Sequence, residues 1–261
     1  MVLVASLLAA LAVAAAWLVA PKLHRFAYWI DRKTPAEVAA LARGRWQVDE
    51  LAVGDGVTLR GLVRAPAAPN GRWVLFVPGN STALLGGFQQ ELERALPDDL
   101  GVAFWAYRGF EASDGVPTPA ALLGDLLRQW DVVAARNTSG QPAQVFGYSL
   151  GSVLAVQLAA ALTHKGQPPG RLVLAAAGER IPVMQHGAFG RFLPDDVYDA
   201  TAAADAVECP VVIVQGTADD ALPLAGARAL RDRIGHNASL VEAEGKGHTD
   251  VWETVKAAAF R

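Results

Sequence analysis

A single serine stands between two glycines in the pentapeptide GYSLG at residues 147–151. The apolar run before it has the composition of a buried strand, and the residues after it have helical spacing. At such a tight strand-to-helix turn the serine takes strained backbone angles that project its hydroxyl above the sheet. The new helix directs its first N–H groups toward negative charge forming on a bound carbonyl. We therefore predict that Ser149 is a nucleophile and that the backbone N–H of Leu150 is one oxyanion donor.

A serine nucleophile needs a general base, and the base needs a carboxylate that orients it. Asp219 and Asp220 lie just beyond the predicted strand VVIVQG, and His248 lies in a glycine-flanked loop beyond the next predicted strand. Serine, acid and histidine thus follow in the order that this turn requires. We predict that Asp219 is the acid, with Asp220 as the weaker candidate, and that His248 is the base. An inert turn serine is the alternative interpretation.

The other four histidines do not follow a predicted strand end in this way. They are His24, His164, His186 and His236.

A second oxyanion donor is expected from the loop after the first central strand. That loop reads PGNSTALL at residues 78–85. We predict the backbone N–H of Asn80 as this donor, with the side chain of Asn80 or Ser81 assisting. The alternative is a plain Pro-Gly turn with no further duty.

Strand and helix patterns alternate from about Trp46 to the end of the chain. The segments WQVDELAV and VTLRGLVRAP flank the turn signal GDG at residues 54–56, which predicts an antiparallel hairpin. Thr118 and Pro119 have the types expected at the N-cap and first position of a long helix. The alternation predicts an α/β fold with one mainly parallel sheet and helices on both faces. In such sheets ligands bind at the carboxyl ends of the strands, where Ser149 and its partners are expected.

Charge and cysteine content exclude some classes of function. The 261 residues carry a formal net charge of -3 with no basic stripe, so nucleic acid is not an expected partner. Cys209 is the only cysteine, which excludes an intrachain disulfide and a cysteine-rich zinc site.

The first twenty residues carry no charged side chain, and a helix of that length spans a hydrocarbon core of about 30 Å. We predict a transmembrane anchor at residues 1–20; the alternative is a cleaved signal peptide with the triplet at 12–14 as its cleavage site. Residues 21–45 mix basic and aromatic side chains, which predicts a juxtamembrane amphipathic segment, or else an ordinary first helix. The positive charge after the span favours a cytoplasmic catalytic domain at residues 46–261.

Five sequence blocks resemble the α/β-hydrolase superfamily, and more closely its membrane-anchored Bem46-like branch with ABHD-type serine hydrolases. They are VPGNST, YRGFEASDGVPT, GYSLG, GTADDALP and GKGH, in this order. The resemblance implies an α/β-hydrolase fold and the same triad of Ser149, Asp219 and His248. The chain departs from the family at Pro78, where the family usually has histidine, and at Glu111, where it often has glycine.

The resemblance implies hydrolysis of an ester-type acyl bond through an acyl-enzyme, with no metal or organic cofactor. A small-molecule or lipid-like acyl ester is the expected substrate, and amide or thioester cleavage stays open. Residues 178–209 form the only sizeable insertion between late strands and are predicted to be a small lid-like element with an apolar wall. Two alternatives stay open: a non-catalytic, membrane-tethered binding module of the same fold, and cofactor-free haloperoxidase or lyase chemistry on the same triad.

Overall fold

The structure, a computed structural model, describes residues 30–80, 84–180 and 198–260. The predicted anchor at 1–20, the start of the juxtamembrane segment, and most of the predicted lid lie outside the described residues, as does Ser81. None of the helices within the described ranges combines the length and apolar character needed to cross a membrane.

One eight-stranded sheet forms the centre of the described chain, in the order β1-β2-β4-β3-β5-β6-β7-β8. Its first two strands pair antiparallel with each other, and β2 also pairs antiparallel with β4. All the remaining neighbours are parallel. The strands are β1 (Trp46–Gly54), β2 (Val57–Arg64), β3 (Trp73–Val77), β4 (Gly101–Trp105), β5 (Gln144–Tyr148), β6 (Arg171–Ala175), β7 (Val211–Gly216) and β8 (Ala238–Ala243).

Seven described helices accompany the sheet. They are α1 (Pro35–Ala39), α2 (Leu84–Ala95), α3 (Pro119–Arg136), α4 (Leu150–His164), α5 (Thr201–Ala204), α6 (Leu224–Ile234) and α7 (Trp252–Ala259), with a 3₁₀ turn at Gly235–Asn237. The mainly parallel sheet with flanking helices that the sequence predicts is confirmed.

Local sequence signals explain where several of these elements begin. Asp55 and Gly56 both have positive φ, 52° and 71°, which is the twist that a tight hairpin turn between β1 and β2 needs. Thr118 is the N-cap of α3, and its hydroxyl accepts a hydrogen bond from the backbone N–H of Ala121 at 3.3 Å. Pro119 occupies the first turn, where its missing N–H costs nothing.

The centre of the sheet is buried on both faces. Every residue of β3, β4 and β5 is buried, as expected for strands covered by helices on each side. Helix α4 is buried along 11 of its 15 residues, so it packs almost all round. Phe76 in β3 lies 5.1 Å, centroid to centroid, from Phe146 in β5, in an edge-to-face contact directly before the serine turn.

Part of the predicted juxtamembrane segment packs against the domain predicted at residues 46–261. Thr34 and Glu37 form a reciprocal capping box at the start of α1. Val38 in α1 is fully buried in the hydrophobic core, and Leu41 packs against that core. The described end of the predicted juxtamembrane segment is therefore docked on the domain.

Candidate active site

Ser149 lies at the sharp turn between β5 and α4. Its backbone has φ 52° and ψ -120°, outside the regions that a residue with a Cβ prefers. Its N–H donates to the carbonyl oxygen of Ala175, at the end of β6, at 3.0 Å. The strain is therefore held by the sheet, and it leaves the side chain half-buried rather than sealed in the core.

The two glycines of GYSLG are required by close packing. A Cβ on Gly151 would overlap the carbonyl oxygen of Val77 in β3. A Cβ on Gly147 would lie only 2.7 Å from the Cβ of Ala155 in α4. Helix α4 can approach the sheet this closely, and the turn can be this tight, because both positions lack a side chain.

His248 joins the serine to the acid. Its Nε2 lies 2.9 Å from Oγ of Ser149, 99 residues away in sequence. Its Nδ1 lies 2.8 Å from Oδ2 and 3.1 Å from Oδ1 of Asp219, which is 29 residues away. The structure thus brings together the three side chains that the sequence singles out, each just beyond the end of a parallel strand.

Asp219 is a buried carboxylate surrounded by donors. Its Oδ1 accepts backbone N–H groups of Ala221 at 3.0 Å and Leu222 at 2.8 Å, and its Oδ2 accepts Nε2 of Gln215 at 2.9 Å. Burial raises the pKa of Asp219, but hydrogen bonds from His248, Leu222 and Gln215 outweigh that effect and leave the pKa below its usual value. An ionised carboxylate here accepts the proton of Nδ1 and leaves the Nε2 lone pair facing the serine hydroxyl.

Asp220, the weaker acid candidate, is not hydrogen-bonded to the base. Asp220 is exposed, and the structure gives it no hydrogen bond to His248, whereas Asp219 is 5% exposed and makes two. Of the other histidines, His164 is the last residue of α4 and His236 lies in the 3₁₀ turn. Neither follows the carboxyl end of a strand. His24 and His186 lie outside the described residues.

The two predicted oxyanion donors belong to the residue after the serine and to the loop after β3. Leu150 is the first residue of α4, so its N–H has no acceptor within the helix. Asn80 is the third residue beyond β3. The residue before it, Gly79, is so close to the turn that a Cβ there would lie 3.2 Å from the Cβ of Ser149. The hydroxyl of Tyr107 donates to the carbonyl oxygen of Pro78 and holds the start of this loop.

Sequence reasoning missed the residues that hold the triad in place. The hydroxyl of Tyr148 donates to the backbone carbonyl of His248 at 2.8 Å, and its ring stacks on Trp252 with centroids 4.8 Å apart. Burial and the charge of Asp219 raise the pKa of Tyr148, so it stays a neutral donor. Gln215 is fully buried and also links the backbone N–H of Ala177 and the carbonyl of Leu222 to the acid. The sequence signal for Gln215 is that a glutamine occurs within the otherwise apolar strand VVIVQG.

The structure describes two departures from the family pattern. Glu111 has φ 44° and a fully buried side chain. Ser152, where the family commonly has glycine or alanine, donates its hydroxyl to the backbone carbonyl of Ser149 at 2.6 Å. Within the described residues no group of three or more histidine, cysteine or acidic side chains could hold a metal ion.

The fold is that of an α/β-hydrolase, and comparisons with known families extend the likeness. A family model for a thioesterase domain matches residues 87–185, and one for a TAP-like protein matches residues 193–259. Est1E from Butyrivibrio proteoclasticus, solved with ferulic acid bound, superposes with a TM-score of 0.65 at 18% identity, covering 80% of this chain and 96% of that one.

Two curated relatives share longer stretches of sequence. Lysophosphatidylserine lipase ABHD12 of Danio rerio is 26% identical over 250 residues, 83% of this chain and 65% of that protein. Alpha/beta hydrolase domain-containing protein 17B of Homo sapiens is 29% identical over 195 residues, 70% of this chain and 63% of that protein. The chain spans less than two thirds of the length of either relative. The fold is that of the α/β-hydrolases, and the sequence is similar to ABHD-type members of that family.

Proposed function

We propose that this chain is a serine hydrolase that cleaves ester-type acyl bonds through an acyl-enzyme. The observation that carries the proposal is the pair of contacts made by His248, 2.9 Å to Oγ of Ser149 and 2.8 Å to Oδ2 of Asp219. A nucleophile, a base and an orienting acid in hydrogen-bonding reach of one another are the parts that acyl transfer needs. The strained turn that presents the hydroxyl above the sheet supports the same reading.

In the proposed reaction His248 takes the proton of Ser149 as its Oγ attacks the substrate carbonyl. Asp219 stabilises the imidazolium that forms and keeps the ring in the productive tautomer. The imidazolium then protonates the leaving alcohol, and the ester C–O bond breaks to give the acyl-enzyme. Water, deprotonated by His248, attacks the acyl-enzyme and releases the acid and the free serine. These steps require neither a metal ion nor an organic cofactor.

The negative charge on the carbonyl oxygen is proposed to be held by the backbone N–H groups of Leu150 and Asn80. The start of α4 supports this role for Leu150, because its N–H has no intrahelical acceptor. The proximity of Gly79 to the serine turn supports it for Asn80. Removing one such donor typically costs about 3 kcal/mol of transition-state stabilisation.

A lipid-like acyl ester is the proposed substrate class. A relative named as a lysophosphatidylserine lipase supports a single-chain acyl ester, and the thioesterase-domain match makes an acyl thioester the next candidate. An apolar span at residues 1–20 would place the site at a membrane surface where such lipids reside. The basic residues after this span favour a catalytic domain on the cytoplasmic face.

A labelling experiment with a substrate panel tests this proposal. We expect a fluorophosphonate probe to modify Ser149 in the full chain, and heat-denatured protein to remain unlabelled. The panel is a short p-nitrophenyl ester, a single-chain lysophospholipid, an acyl thioester and the matched acyl amide. Turnover of the lysophospholipid supports a lipid ester as the substrate class. Faster cleavage of the thioester would instead make an acyl thioester the substrate class. No labelling and no turnover of any substrate by folded protein would contradict the proposal.

The Tyr148→Phe substitution is expected to lower kcat on the short ester about tenfold, because it frees the His248 backbone that the hydroxyl holds at 2.8 Å. The phenyl ring keeps its stacking on Trp252, so unfolding temperature and KM should change little. The matched control is Thr163→Val, which removes another hydroxyl bonded to a backbone carbonyl at 3.0 Å, at the far end of α4. Equal kcat values for the two variants would show that Tyr148 does not position the base.

A further inference from the structure

Glu111 is a buried carboxylate that the triad chemistry does not use. It lies in the loop between β4 and α3, and its side chain is fully inaccessible to solvent. Its backbone has φ 44°, in the left-handed region that residues with a Cβ rarely adopt. A buried charge and a strained backbone at one residue each cost free energy, so compensating contacts are expected around it.

Two different parts of the chain meet at this carboxylate. Oε1 of Glu111 lies 2.7 Å from Nζ of Lys33, and Oε2 accepts the backbone N–H of Leu85 at 3.2 Å. The backbone N–H of Glu111 donates to the carbonyl oxygen of Asp31 at 2.8 Å. The side chain therefore joins the segment before α1 to the beginning of α2.

The segment before α1 is docked at further points. Arg32 donates through Nη1 to the carbonyl oxygen of Ser113 at 3.2 Å, on the same loop as Glu111. The capping box at Thr34 fixes the start of α1, and Val38 is fully buried in the core. Residues 31–38 consequently form one anchored unit, which we call the N-terminal brace.

The contact with Leu85 connects the brace to the loop at residues 78–85, which contains the proposed oxyanion donor Asn80. Leu85 is the second residue of α2, where a free N–H and the helix dipole both favour a carboxylate. Asn80 lies in the chain between Leu85 and Pro78, whose carbonyl oxygen accepts the hydroxyl of Tyr107. The residues that hold the two ends, Tyr107 and Glu111, belong to the same loop. That loop therefore holds the chain on both sides of the proposed donor Asn80.

We propose that Glu111 and Lys33 are positioning residues for this site: their ion pair fixes the start of α2, which follows the loop that contains Asn80, and makes the position of this proposed donor depend on the docked N-terminal brace. The inference rests on the proposed function, since it gives the loop its catalytic meaning. It goes further in assigning a role to residues that touch no member of the triad. It also gives the segment that follows the predicted membrane anchor a direct structural connection to the site.

The pair has a distinct pH signature. Burial raises the pKa of Glu111, and the hydrogen bond and charge of Lys33 offset only part of that rise. Asp31, the other charged group that influences it among the described residues, adds to the rise. Without Lys33 the pKa of Glu111 should therefore move further up. Protonation then weakens the charge-assisted bond to Leu85 at a higher pH than in the parent chain.

The test compares Lys33→Met with Lys33→Arg in the full chain. We expect Lys33→Met to lower kcat on the short ester about tenfold with KM unchanged, because a displaced donor weakens only the transition state. Its acid limb of kcat should move to higher pH. Lys33→Arg retains the positive charge and should restore kcat and the acid limb. Amide exchange at residues 85–88 should be faster in Lys33→Met, a readout that does not require turnover.

Arg136→Met is the matched control. It breaks the partly buried pair in which Nη2 of Arg136, at the end of α3, lies 2.8 Å from Oδ1 of Asp49 in β1. The control should leave kcat, the acid limb and exchange at residues 85–88 unchanged. Glu111→Gln, which keeps the shape and removes the charge, serves if Lys33→Met does not fold, with the same expected loss of kcat.

The outcomes separate this inference from the proposed function. If Ser149 is required for turnover and Lys33→Met keeps the parent kcat, acid limb and amide exchange, the positioning role is wrong and the hydrolase proposal stands. An equal loss in Lys33→Met and Arg136→Met, in step with unfolding temperature, also overturns the positioning role because it reflects general stability. If Ser149 is not required, the hydrolase proposal fails instead, and amide exchange alone decides whether the pair holds α2.

Discussion

Replacing Ser149 with alanine is expected to lower kcat on a short ester by about 10⁶-fold. Alanine removes the Oγ that lies 2.9 Å from Nε2 of His248, so no covalent acyl-enzyme can form. The proposed oxyanion donors and the substrate contacts would remain, so residual rate enhancement and an unchanged KM are expected. Labelling by a fluorophosphonate probe should disappear with the hydroxyl.

The matched control for this prediction is Ser152→Ala. Ser152 is a second buried serine one turn further along α4, and its hydroxyl bonds to the backbone carbonyl of Ser149 at 2.6 Å. Its loss should cost stability of about 1 kcal/mol but leave probe labelling and kcat within a few-fold of the parent. Initial rates measure kcat, and intact-mass spectra after probe treatment measure labelling. Retention of more than a hundredth of the parent kcat by Ser149→Ala would rule out the serine as nucleophile.

Most of the fold could be predicted because its signals are local. The GDG turn lies where two alternating segments meet, and the structure places positive φ at Asp55 and Gly56 there. Thr118 and Pro119 mark the start of α3 through side-chain and backbone chemistry confined to one turn. Apolar runs of five or six residues appear as buried parallel strands because helices cover both faces.

The meeting of the candidate triad follows from topology rather than from local pattern. Parallel strands β5, β7 and β8 end on the same edge of the sheet, so residues just beyond them converge even when far apart in sequence. The sequence prediction favours Asp219 over Asp220, and the coordinates supply a physical reason for that choice. Only the first of these neighbours turns inward to accept the N–H groups of Ala221 and Leu222.

The supporting residues could not be predicted, because their partners are mostly backbone groups. Tyr148 donates to the carbonyl of His248 and Tyr107 to that of Pro78, and any residue type offers that acceptor. The sequence therefore contains no complementary side chain that would reveal either contact. Glu111 differs in having a partner of opposite charge, but Lys33 is 78 residues away and belongs to a segment expected to lie at a membrane. Tertiary packing alone determines that pairing.

Replacing Asp219 with asparagine is expected to lower kcat by about 10⁴-fold while leaving the fold intact. The isosteric amide can still accept the N–H of Leu222 through its oxygen, and this turns its NH₂ group toward Nδ1 of His248. The ring must then accept at Nδ1 and carry its proton on Nε2, where it can no longer take the proton of Ser149.

The neighbouring Asp220→Asn variant provides the control for this effect. It makes the same change in charge at an exposed carboxylate and should keep kcat within twofold of the parent. Because the pKa of Asp219 is lowered in the folded protein, its ionised form stabilises the fold at pH above its unfolded value. That contribution is lost as the pH falls through the lowered folded pKa, and Asp219→Asn should show a smaller loss of stability over this acidic window. Steady-state kinetics measure kcat, and thermal unfolding from neutral to acidic pH measures the change in stability. Equal kcat values for the two asparagine variants would remove Asp219 from the proposed mechanism.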